Sequence, residues 1–585
     1  MWYADLRFVI FFFLFLALPA QGGTFVYSID SQEKFDQMNT ALTKAIEVGE
    51  KDIVVDIAEG VYYYRANHVL RRYENCPDVS VRIEGHDAVL IAQGNDYRDG
   101  DSYEADFDPY ASFIDMESLT AFDFWDDCRY AEGMAEVADE ETKLCRLPIS
   151  QAEMYSDCSQ LYVNIPQWFY SRTYKVESVE DGYIYFTVND LKHITREDRT
   201  SINVNYDYLF GKQDTRFRLC YPALNARTHV QIVGNKVKAA PDAVIHECRV
   251  TRFLYCGKSS FKTFTISGLH FLGNSSGNYL MMVDGVETDS FTIERCRFDA
   301  IKGFVLWAKD TPNITFSHNH VEHCQNGISA THSCENTRVV GNMFRDCGEN
   351  MMNTFCVNCK GKDYYIAHNK FCNYGFSAVC LGMWLGYESK VESSGIVEYN
   401  EMWLEPDYIA HKERYTLQDT GAIYLSPQHD MATVRYNYIH DIDGMLLNRG
   451  IFCDDGASHF RVYGNVVMGV ANSYSIESRN CENKLEGGNT DIRIEHNIVD
   501  KAIKFEGSSK GDNGCVVSGN VMLCREGEAP PENVYSRLTT ESPDRQMTFW
   551  GYDEDGIVVD RRQMERLGKL GHYESAIKAA KWRYK

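Results

Sequence analysis

The sequence predicts an all-β protein whose main body is a right-handed parallel β-helix, a solenoid in which each coil consists of several short strands. A short phrase of alternating apolar residues recurs from residue 264 onward, as in "ITFSHNHV", "RVVGNMF" and "YYIAHNKF". Most copies carry an asparagine at the same place, and the interval between copies varies. These asparagines are Asn319, Asn342, Asn369, Asn400, Asn437, Asn465, Asn497 and Asn520.

The spacing of the asparagines indicates stacked coils. The interval runs from 23 residues, between Asn319 and Asn342, to 37 residues, between Asn400 and Asn437. A strand-rich repeat of this length is typical of a solenoid, and we expect about ten coils. Because equivalent strands of neighbouring coils lie about 4.8 Å apart, a buried asparagine in each turn can bond to those above and below it. The longer intervals predict loops that carry function.

The β-helix is predicted in two parts that an insertion separates. "DIVVDIAEGVYYY" and "VSVRIEGHDAVLIAQG" indicate that the solenoid starts within residues 21–94. Within residues 95–245, "QLYVNIPQWFYSRTY" and "EDGYIYFTVNDL" indicate antiparallel strands, so this segment is interpreted as an inserted β-rich module. The main β-helix is predicted over residues 246–524. Residues 525–585 are predicted as a linker and a helical C-terminal tail, the helix covering 562–580.

The N-terminus indicates export. An apolar run, "FVIFFFLFLALPA", follows Arg7 and ends at Ala20. It is short for a membrane span and is typical of a secretory signal peptide over residues 1–20. We therefore expect a secreted or periplasmic protein that is free of the membrane after cleavage, with an uncleaved anchor as the alternative.

The composition limits the partners. The net charge is −25, which argues against nucleic acid or an anionic membrane as a partner. The 19 cysteines are an odd number, so they do not all pair within the chain. Cys324 and Cys347 each lie five residues after the asparagine of their coil and should be stacked neighbours. They are interpreted as buried apolar residues, with a disulfide as the alternative.

Four segments of the second half align on one sheet: "AIYLSPQ" (422–428), "GIFCDDG" (450–456), "SIESRNC" (475–481) and "AIKFEGS" (502–508). Since successive strand residues point to opposite faces, this register directs one set of side chains inward and another outward. One outward column contains Tyr424, Phe452, Glu477 and Lys504, and a second contains Ser426, Asp454, Arg479 and Glu506.

The two columns bring a pair of acids together. Asp454 and Glu477 lie one coil and two residues apart, a backbone offset of about 4.8 by 6.6 Å. Side chains of unequal length can bring the two carboxyl groups to about 5 Å, the separation that a retaining glycosidase needs. Asp419 is expected as a third acid at the same end of the groove, and Asp455 turns away or begins the bend.

An ordinary solvated sheet is the alternative interpretation. Asp454 beside Arg479, and Glu477 beside Lys504, would then be cross-strand ion pairs without chemistry.

Several motifs resemble a known group of enzymes. "DTGAIYL", "YNYIHDIDG", "GIFCDDGASHFRVYGNVV" and "SIESRN" resemble the right-handed β-helix glycoside hydrolases of families 120 and 141. The first family contains β-xylosidases, and the second contains α-L-fucosidases and xylanases. The resemblance covers about residues 50–560. It implies a pectate-lyase-like solenoid and cleavage of a plant-type or pectic glycan side chain.

The two families imply different second acids. Family 120 implies Asp454 as the nucleophile and Glu477 as the acid/base. Family 141 implies Asp419 together with an acid of the Asp-Asp-Gly motif, Asp454 or Asp455. As the acid, Glu477 needs a raised pKa, whereas Lys504 beside it would lower that pKa.

The remaining expectations concern substrate and cofactor. An oligo- or polysaccharide is the expected partner, the oligomeric state is open, and no metal or other cofactor is expected in a hydrolase. The side chains expected to bind substrate are Tyr424, Trp384, Tyr415, Arg479, His440 and Lys504.

Two other functions stay open. A polysaccharide lyase would use Lys504 or Lys484 as base, Arg479 as its partner, and Ca²⁺ held by the acids. A non-catalytic adhesin would stack sugars on exposed aromatic rings. Those rings would be Trp384, Tyr387, Tyr415 and Tyr424.

Overall fold

The computed structural model describes most of the predicted β-helix and parts of the insertion. The described residues are 23–64, 67–92, 103–106, 129–132, 136–148, 162–166, 171–188, 216–220, 223–224, 230–233, 236–239, 252–273, 279–299, 301, 303–331, 333–348, 354–382, 393–406, 420–428, 430–442, 448–454, 456–470, 474–479, 489–505, 514–525, 548–553, 556–559 and 583–584. The predicted signal peptide and the predicted helix over 562–580 lie outside these residues. Neither helix of the described chain has the length and hydrophobicity to span a bilayer.

The chain folds as a right-handed parallel β-helix, as predicted. Each coil contributes one strand to each of three faces, which follow one another along the chain. Face 1 is an eleven-stranded parallel sheet. Its strands are Val69–Arg72, Leu254–Gly257, Tyr279–Asp284, Phe304–Lys309, Asn326–Thr331, Phe355–Cys359, Ser377–Leu381, Thr420–Leu425, Asn448–Cys453, Tyr474–Ser478 and Ala502–Phe505.

Faces 2 and 3 meet at the turn that contains the asparagine. Face 2 precedes it and consists of Phe25–Ile29, Asp52–Ile57, Glu287–Glu294, Ile314–Ser317, Arg338–Val340, Tyr364–Ala367, Gly395–Glu398, Ala432–Arg435, Ser458–Tyr463, Thr490–Glu495 and Val516–Ser518. Face 3 follows it and consists of Val61–Tyr64, Arg297–Asp299, His320–Glu322, Met343–Cys347, Lys370–Tyr374, Glu401–Trp403, Tyr438–Ile439, Val466–Val467, Ile498–Val499 and Val521–Arg525. The long strands Asn75–Ala92 and Ser260–Leu272 run through both faces.

The asparagine column forms a continuous ladder, which confirms the prediction. Asn342 donates from its backbone N and from Nδ2 to Oδ1 of Asn369, both at 2.9 Å. Asn369 does the same to Asn400, at 3.0 and 2.9 Å. All eight asparagines are at most 2% exposed. The ladder therefore satisfies buried polar groups at the corner of each coil from Asn319 to Asn520.

The residue before each asparagine adopts the left-handed conformation, which the sequence analysis missed. The φ angles lie between 54° and 69°. These residues are His318, Gly341, His368, Tyr399, Tyr436, Gly464, His496 and Gly519. Glycine adopts this conformation without strain, and histidine is enriched in it. Where aromatic rings occupy it they stack, with centroids 5.3 Å apart for His368 and Tyr399 and 5.5 Å for Tyr399 and Tyr436, which contributes about 0.5–1.5 kcal/mol per pair.

Cys324 and Cys347 are buried free thiols, which agrees with the first interpretation rather than with a disulfide. Each lies in the interior of the solenoid among apolar side chains. Burial raises the pKa of the Cys324 thiol, and the neighbouring Cys347 raises it further. A thiol with a raised pKa is a poor nucleophile, so Cys324 serves as packing.

The N-terminal end of the solenoid is covered by two short helices, Gln32–Asp36 and Met38–Glu47, that were not predicted. Their buried side chains include Phe35, Met38 and Leu42. These apolar positions are three and four residues apart, a spacing that predicts a helix. Arg71, which is 1% exposed, holds the second helix by donating to Asn39 O at 2.9 Å.

The insertion contains antiparallel strands, as expected. Tyr162–Pro166 pairs antiparallel with Ser171–Glu180, which pairs antiparallel with Tyr183–Thr187. The remaining described strands before residue 252 are Tyr103–Asp106, Arg129–Glu132, Glu136–Asp139, Leu144–Pro148, Arg216–Cys220, Ala223–Leu224, Val230–Val233 and Lys236–Ala239. The coils on either side of this region pair directly, because Val69–Arg72 is hydrogen-bonded to Leu254–Gly257.

The predicted end of the solenoid was wrong. Thr548–Asp553 pairs in parallel with Val521–Arg525 and so extends face 3 beyond residue 524. Gly556–Val559 then turns back antiparallel and pairs with Arg583–Tyr584. The proline and glutamate residues after Arg525 resembled a linker, but the strand that follows them continues the sheet.

The ladder predicts a large stability effect at its centre. Asn437→Ala removes Nδ2, which donates to Val397 O, and Oδ1, which accepts from the backbone N of Asn400. Because each buried group left unpaired costs about 1–3 kcal/mol, we expect a loss of about 3 kcal/mol in the free energy of unfolding. Thr433→Ala, on the outer side of face 2, should change it by less than about 0.5 kcal/mol. Equal effects of the two substitutions in urea unfolding would contradict the ladder's role.

Candidate active site

The predicted register of face 1 is confirmed. Ile423, Ile451, Ile476 and Ile503 pair in sequence and are fully buried in the solenoid core. The residues that follow them point to the outer side of the sheet. They form the column Tyr424, Phe452, Glu477 and Lys504.

An apolar cluster lies on the outer side of face 1, separate from the core. It consists of Phe355, Phe376, Cys380, Tyr424 and Phe452. Tyr424 is 7% exposed and Phe452 is fully buried. The expectation of Tyr424 as an exposed ring for sugar stacking was therefore wrong. Its ring packs edge-on against Phe452, with centroids 5.5 Å apart.

Glu477 extends this column and is held by two cations. Its Oε2 accepts from Arg449 Nε at 2.5 Å, and its Oε1 accepts from Lys504 Nζ at 2.8 Å. Glu477 is 2% exposed and Arg449 is 4% exposed. Such a buried carboxylate is tolerated only because it is paired and hydrogen-bonded.

The electrostatics of Glu477 follow from these partners. Burial alone would raise its pKa, but Arg449 and Lys504 outweigh burial, so the pKa lies below its usual value. Glu477 is therefore ionised at neutral pH. The raised pKa that Glu477 would need as a general acid is not present, and Lys504 does not turn aside.

Arg449 is the functional residue that sequence reasoning missed. It lies near the start of the strand Asn448–Cys453, level with Gly421 on the preceding coil. Its guanidinium stacks on the Phe452 ring, 4.1 Å from the centroid, and from there its Nε reaches Glu477. An arginine inside an apolar strand was the available signal, since arginine is almost never fully buried unless it is paired.

Asp454 follows the same strand and is 3% exposed. Tyr424, one coil earlier, donates its hydroxyl to Asp454 Oδ2 at 2.9 Å. The backbone is fixed by Asp454 N donating to Leu425 O at 3.0 Å and by Ala457 N donating to Asp454 O at 2.9 Å. Arg479 N donates to Cys453 O, which places Arg479 level with Asp454 on the next coil, as expected.

Asp454 and Glu477 thus lie on adjacent strands of one face. Since Phe452 pairs with Glu477, the two acids are offset by one coil and two residues, about 4.8 by 6.6 Å between backbones. Their surroundings differ. Glu477 contacts two cations, and Asp454 accepts from a tyrosine hydroxyl, a group that can donate or accept a hydrogen bond.

Asp419, Asp455, Trp384 and Tyr415 lie outside the described residues. The strand that follows Asp419 is among the described residues. Thr420 begins that strand and pairs with Asn448, which is six residues before Asp454. At 3.3 Å per residue, Thr420 is about 20 Å from Asp454 along the sheet. The expected place of Asp419 at the same end of the groove stays a prediction.

His440 belongs to another part of the molecule. It follows the strand Tyr438–Ile439 of face 3, and its ring stacks on Tyr438 at 4.1 Å and on Trp403 at 5.8 Å. It also contacts Asp441 at 2.7 Å and Glu401 at 3.4 Å. The structure therefore places His440 on face 3, away from Asp454 and Glu477 on face 1, and its contact with substrate stays a prediction.

Comparison with known proteins supports the fold. A family model described as "Right handed beta helix region" matches residues 225–371. No curated protein matches the chain.

Three solved structures are similar to this chain at low sequence identity. A "Glycoside hydrolase" is 12% identical, with 85% of this chain and 96% of that chain covered and a TM-score of 0.46. The complex of XylC with xylose is 12% identical, with 83% and 65% covered and a TM-score of 0.28. A hyperthermoactive exopolygalacturonase from Thermotoga maritima is 9% identical, with 86% and 92% covered and a TM-score of 0.27. At these identities and TM-scores the likenesses say nothing about the activity of this chain.

The ionised state of Glu477 predicts a pH dependence of stability. Because its pKa is depressed in the folded protein, it contributes stability above its unfolded-state pKa, and this is lost as the pH falls through the folded-state value. Arg449→Met raises that folded-state pKa. We expect the acid-unfolding midpoint to move to higher pH, and a loss of about 3 kcal/mol at pH 7 because a buried pair is broken.

The matched control is Arg461→Met. Arg461 pairs with Glu495 at 2.9 Å and is half exposed, so its loss should cost less than about 0.5 kcal/mol. Acid titrations followed by circular dichroism measure both variants. An unchanged acid midpoint for Arg449→Met would show that Arg449 does not keep Glu477 ionised.

Proposed function

We propose that the protein is a glycoside hydrolase whose catalytic pair is Asp454 and Glu477. One observation carries the proposal. Two buried carboxylates lie one coil and two residues apart on face 1; Glu477 is bonded to two cations, and Asp454 accepts a hydrogen bond from the Tyr424 hydroxyl. Two acids in contrasting environments are what acid and nucleophile roles require. The motif resemblance to family 120 supports the same pair, whereas the resemblance to family 141 implies Asp419 in place of Glu477.

The environments favour a reversal of the roles that the sequence indicated. Glu477, kept ionised by Arg449 and Lys504, suits the nucleophile. Asp454, beside the Tyr424 hydroxyl, suits the acid/base. That hydroxyl can accept a hydrogen bond from the protonated carboxyl group of Asp454 and can donate one to its carboxylate. We propose Glu477 rather than Asp419 as the partner of Asp454, because the strand Thr420–Leu425 that follows Asp419 begins about 20 Å from Asp454 along the sheet.

The proposed reaction proceeds with retention in two steps. Asp454 donates its proton to the glycosidic oxygen while a carboxylate oxygen of Glu477 attacks the anomeric carbon, giving a glycosyl-enzyme and the free leaving group. Asp454 then takes a proton from water. The hydroxide formed attacks the same carbon, and the carbon–oxygen bond to Glu477 breaks and restores its carboxylate.

Arg449 and Lys504 influence both steps. In the second step they stabilise the Glu477 carboxylate as it leaves the sugar. In the first step the same bonds make the Glu477 carboxylate less reactive toward the anomeric carbon. Each oxygen of a carboxylate offers two lone pairs, so Glu477 can keep one bond per oxygen while it reacts. Arg449 has a further function, since its stacking on Phe452 fixes the position of the guanidinium.

The alternatives fit the described geometry less well. In a lyase Lys504 would have to be a free base, but its ammonium is bonded to Glu477. Lys484, the other candidate base, lies outside the described residues. An adhesin would present Tyr424 to solvent, whereas this ring is buried.

The remaining parts of the proposal concern substrate and location. We propose a xylosidase- or fucosidase-like cleavage of a plant-type or pectic side chain, since the motif resemblance implies it. Export with cleavage near Ala20 is proposed from the apolar N-terminal run. A screen of the purified protein on aryl glycosides and pectic fragments, with analysis of the products, identifies the sugar. An unsaturated product that absorbs in the ultraviolet would instead indicate the lyase.

Mutations separate the two roles. On natural substrates Asp454→Ala should lose about 10²–10⁴-fold in kcat, the usual contribution of a positioned acid/base. It should retain far more activity on aryl glycosides with good leaving groups, and azide should partly rescue it, because azide attacks the glycosyl-enzyme without needing a base. Glu477→Gln should be inactive on every substrate, since no glycosyl-enzyme forms.

The control is Asp419→Asn, which should keep most of the activity. Circular dichroism establishes that each variant is folded. If azide rescues a Glu477 variant with retention of configuration, the roles are those of family 120. If Asp419→Asn is inactive while Glu477→Gln is active, the proposed pair is wrong.

A further inference from the structure

A second group of ligand-type side chains lies on face 3, away from the candidate active site. Asp299, Glu322 and His323 come from two neighbouring coils, and Asp299 pairs directly with Glu322 across the strands. One donor atom from each lies within 4.8 Å of the others. Asp299 is almost completely buried, and the other two are partly exposed. No motif of the sequence analysis included them.

The ring of His323 faces a carboxylate with each of its two nitrogens. Its Nδ1 lies 3.2 Å from Asp299 Oδ1, and its Nε2 lies 3.8 Å from Asp346 Oδ2 on the next coil. A ligating histidine commonly uses one ring nitrogen for the metal and directs the other toward a carboxylate, which fixes the ring. Asp346 itself is held by Asn373 Nδ2 at 2.7 Å.

An independent observation points to a ligand at the same place. The side chain of His320, two residues before Glu322 on the same strand, is 44% exposed, but its Nε2 is buried and has no hydrogen-bond partner among the described residues. That nitrogen lies 3.8 Å from Glu322 Oε2, too far for a hydrogen bond. A buried nitrogen that lacks a partner is unfavourable, and coordination to a shared ion would satisfy it.

Arg297 is a cation that would compete with a metal ion for Asp299 and Glu322. Its Nη2 lies 3.3 Å from Glu322 Oε2 and 3.7 Å from Asp299 Oδ2. Because its side chain is 48% exposed, it can turn into solvent without leaving a cavity. Arg345, another cation near His323 in the described part of the chain, forms ion pairs with Glu405 and Asp346.

We propose that Asp299, Glu322 and His323 bind a divalent transition metal of the zinc class, with His320 as the fourth ligand and Arg297 displaced. Mixed imidazole and carboxylate ligands suit zinc and its neighbours better than calcium, which takes oxygen ligands. Ligands at about 2.1 Å from one ion stand roughly 3–4 Å apart. Donors up to 4.8 Å apart therefore need to approach by up to about 1–2 Å, which side-chain rotation allows.

The site is independent of the proposed hydrolysis, because it lies on a different face of the solenoid. Its effect is structural. An ion shared by Asp299 and Glu322 cross-links two coils beyond their backbone hydrogen bonds, and an ion that binds only the folded chain stabilises it in proportion to the logarithm of its concentration.

The test is calorimetric titration of the metal-free, full-length protein with ZnCl₂. One ion should bind per chain. His323→Asn removes a ligand while keeping a residue that tolerates the left-handed backbone of this position, φ 50°, and should weaken that binding at least tenfold. Arg297→Ala removes the competing cation and should tighten it by about tenfold, corresponding to about 1.4 kcal/mol.

The matched control is His440→Asn, which alters another face 3 histidine that is flanked by Glu401 and Asp441. It should leave the binding unchanged. The melting temperature should rise with ZnCl₂ for the wild type and not for His323→Asn. Absence of binding by the wild type, or equal affinity of the wild type, His323→Asn and Arg297→Ala, would overturn the proposal.

Discussion

The in-register stacking of successive coils is the constraint on which the rest of the molecule depends. Each coil repeats the strand positions of the one before, about 4.8 Å further along the axis, so a residue's neighbours are set by its place within the coil rather than by its place in the sequence. The asparagine ladder fixes that register. From Asn319 to Asn520 each amide bonds to the next one along the chain, and a shift of one residue would leave buried groups unpaired throughout the corner.

Face 1 shows how this constraint produces a site. Because Tyr424, Phe452, Glu477 and Lys504 occupy one column, aromatic rings, an acid and a cation come together although they are spread over four coils. Burial of Glu477 is tolerable only with compensating charge, and Arg449 supplies it from the neighbouring coil while stacking on Phe452. The apolar cluster on this outer side lowers the local polarity and so strengthens the ion pairs.

The repeat made much of this arrangement predictable. The asparagine column, the register of face 1 and the neighbouring positions of Asp454 and Glu477 all follow from strand periodicity. The charge state of Glu477 did not follow from strand periodicity. It depends on Arg449, whose long side chain reaches diagonally from its own coil to the next. Tyr424 was misjudged because the register shows only that its ring points outward and not that other side chains cover it.

The central claim is that Glu477, held ionised by Arg449 and Lys504, forms the covalent bond to the sugar while Asp454 moves the proton. Trapping that bond tests it most directly. The enzyme is incubated with an activated 2-deoxy-2-fluoro glycoside of the sugar that it releases, digested, and sequenced by tandem mass spectrometry. The account predicts one sugar attached to Glu477. A sugar attached to Asp454 would contradict it.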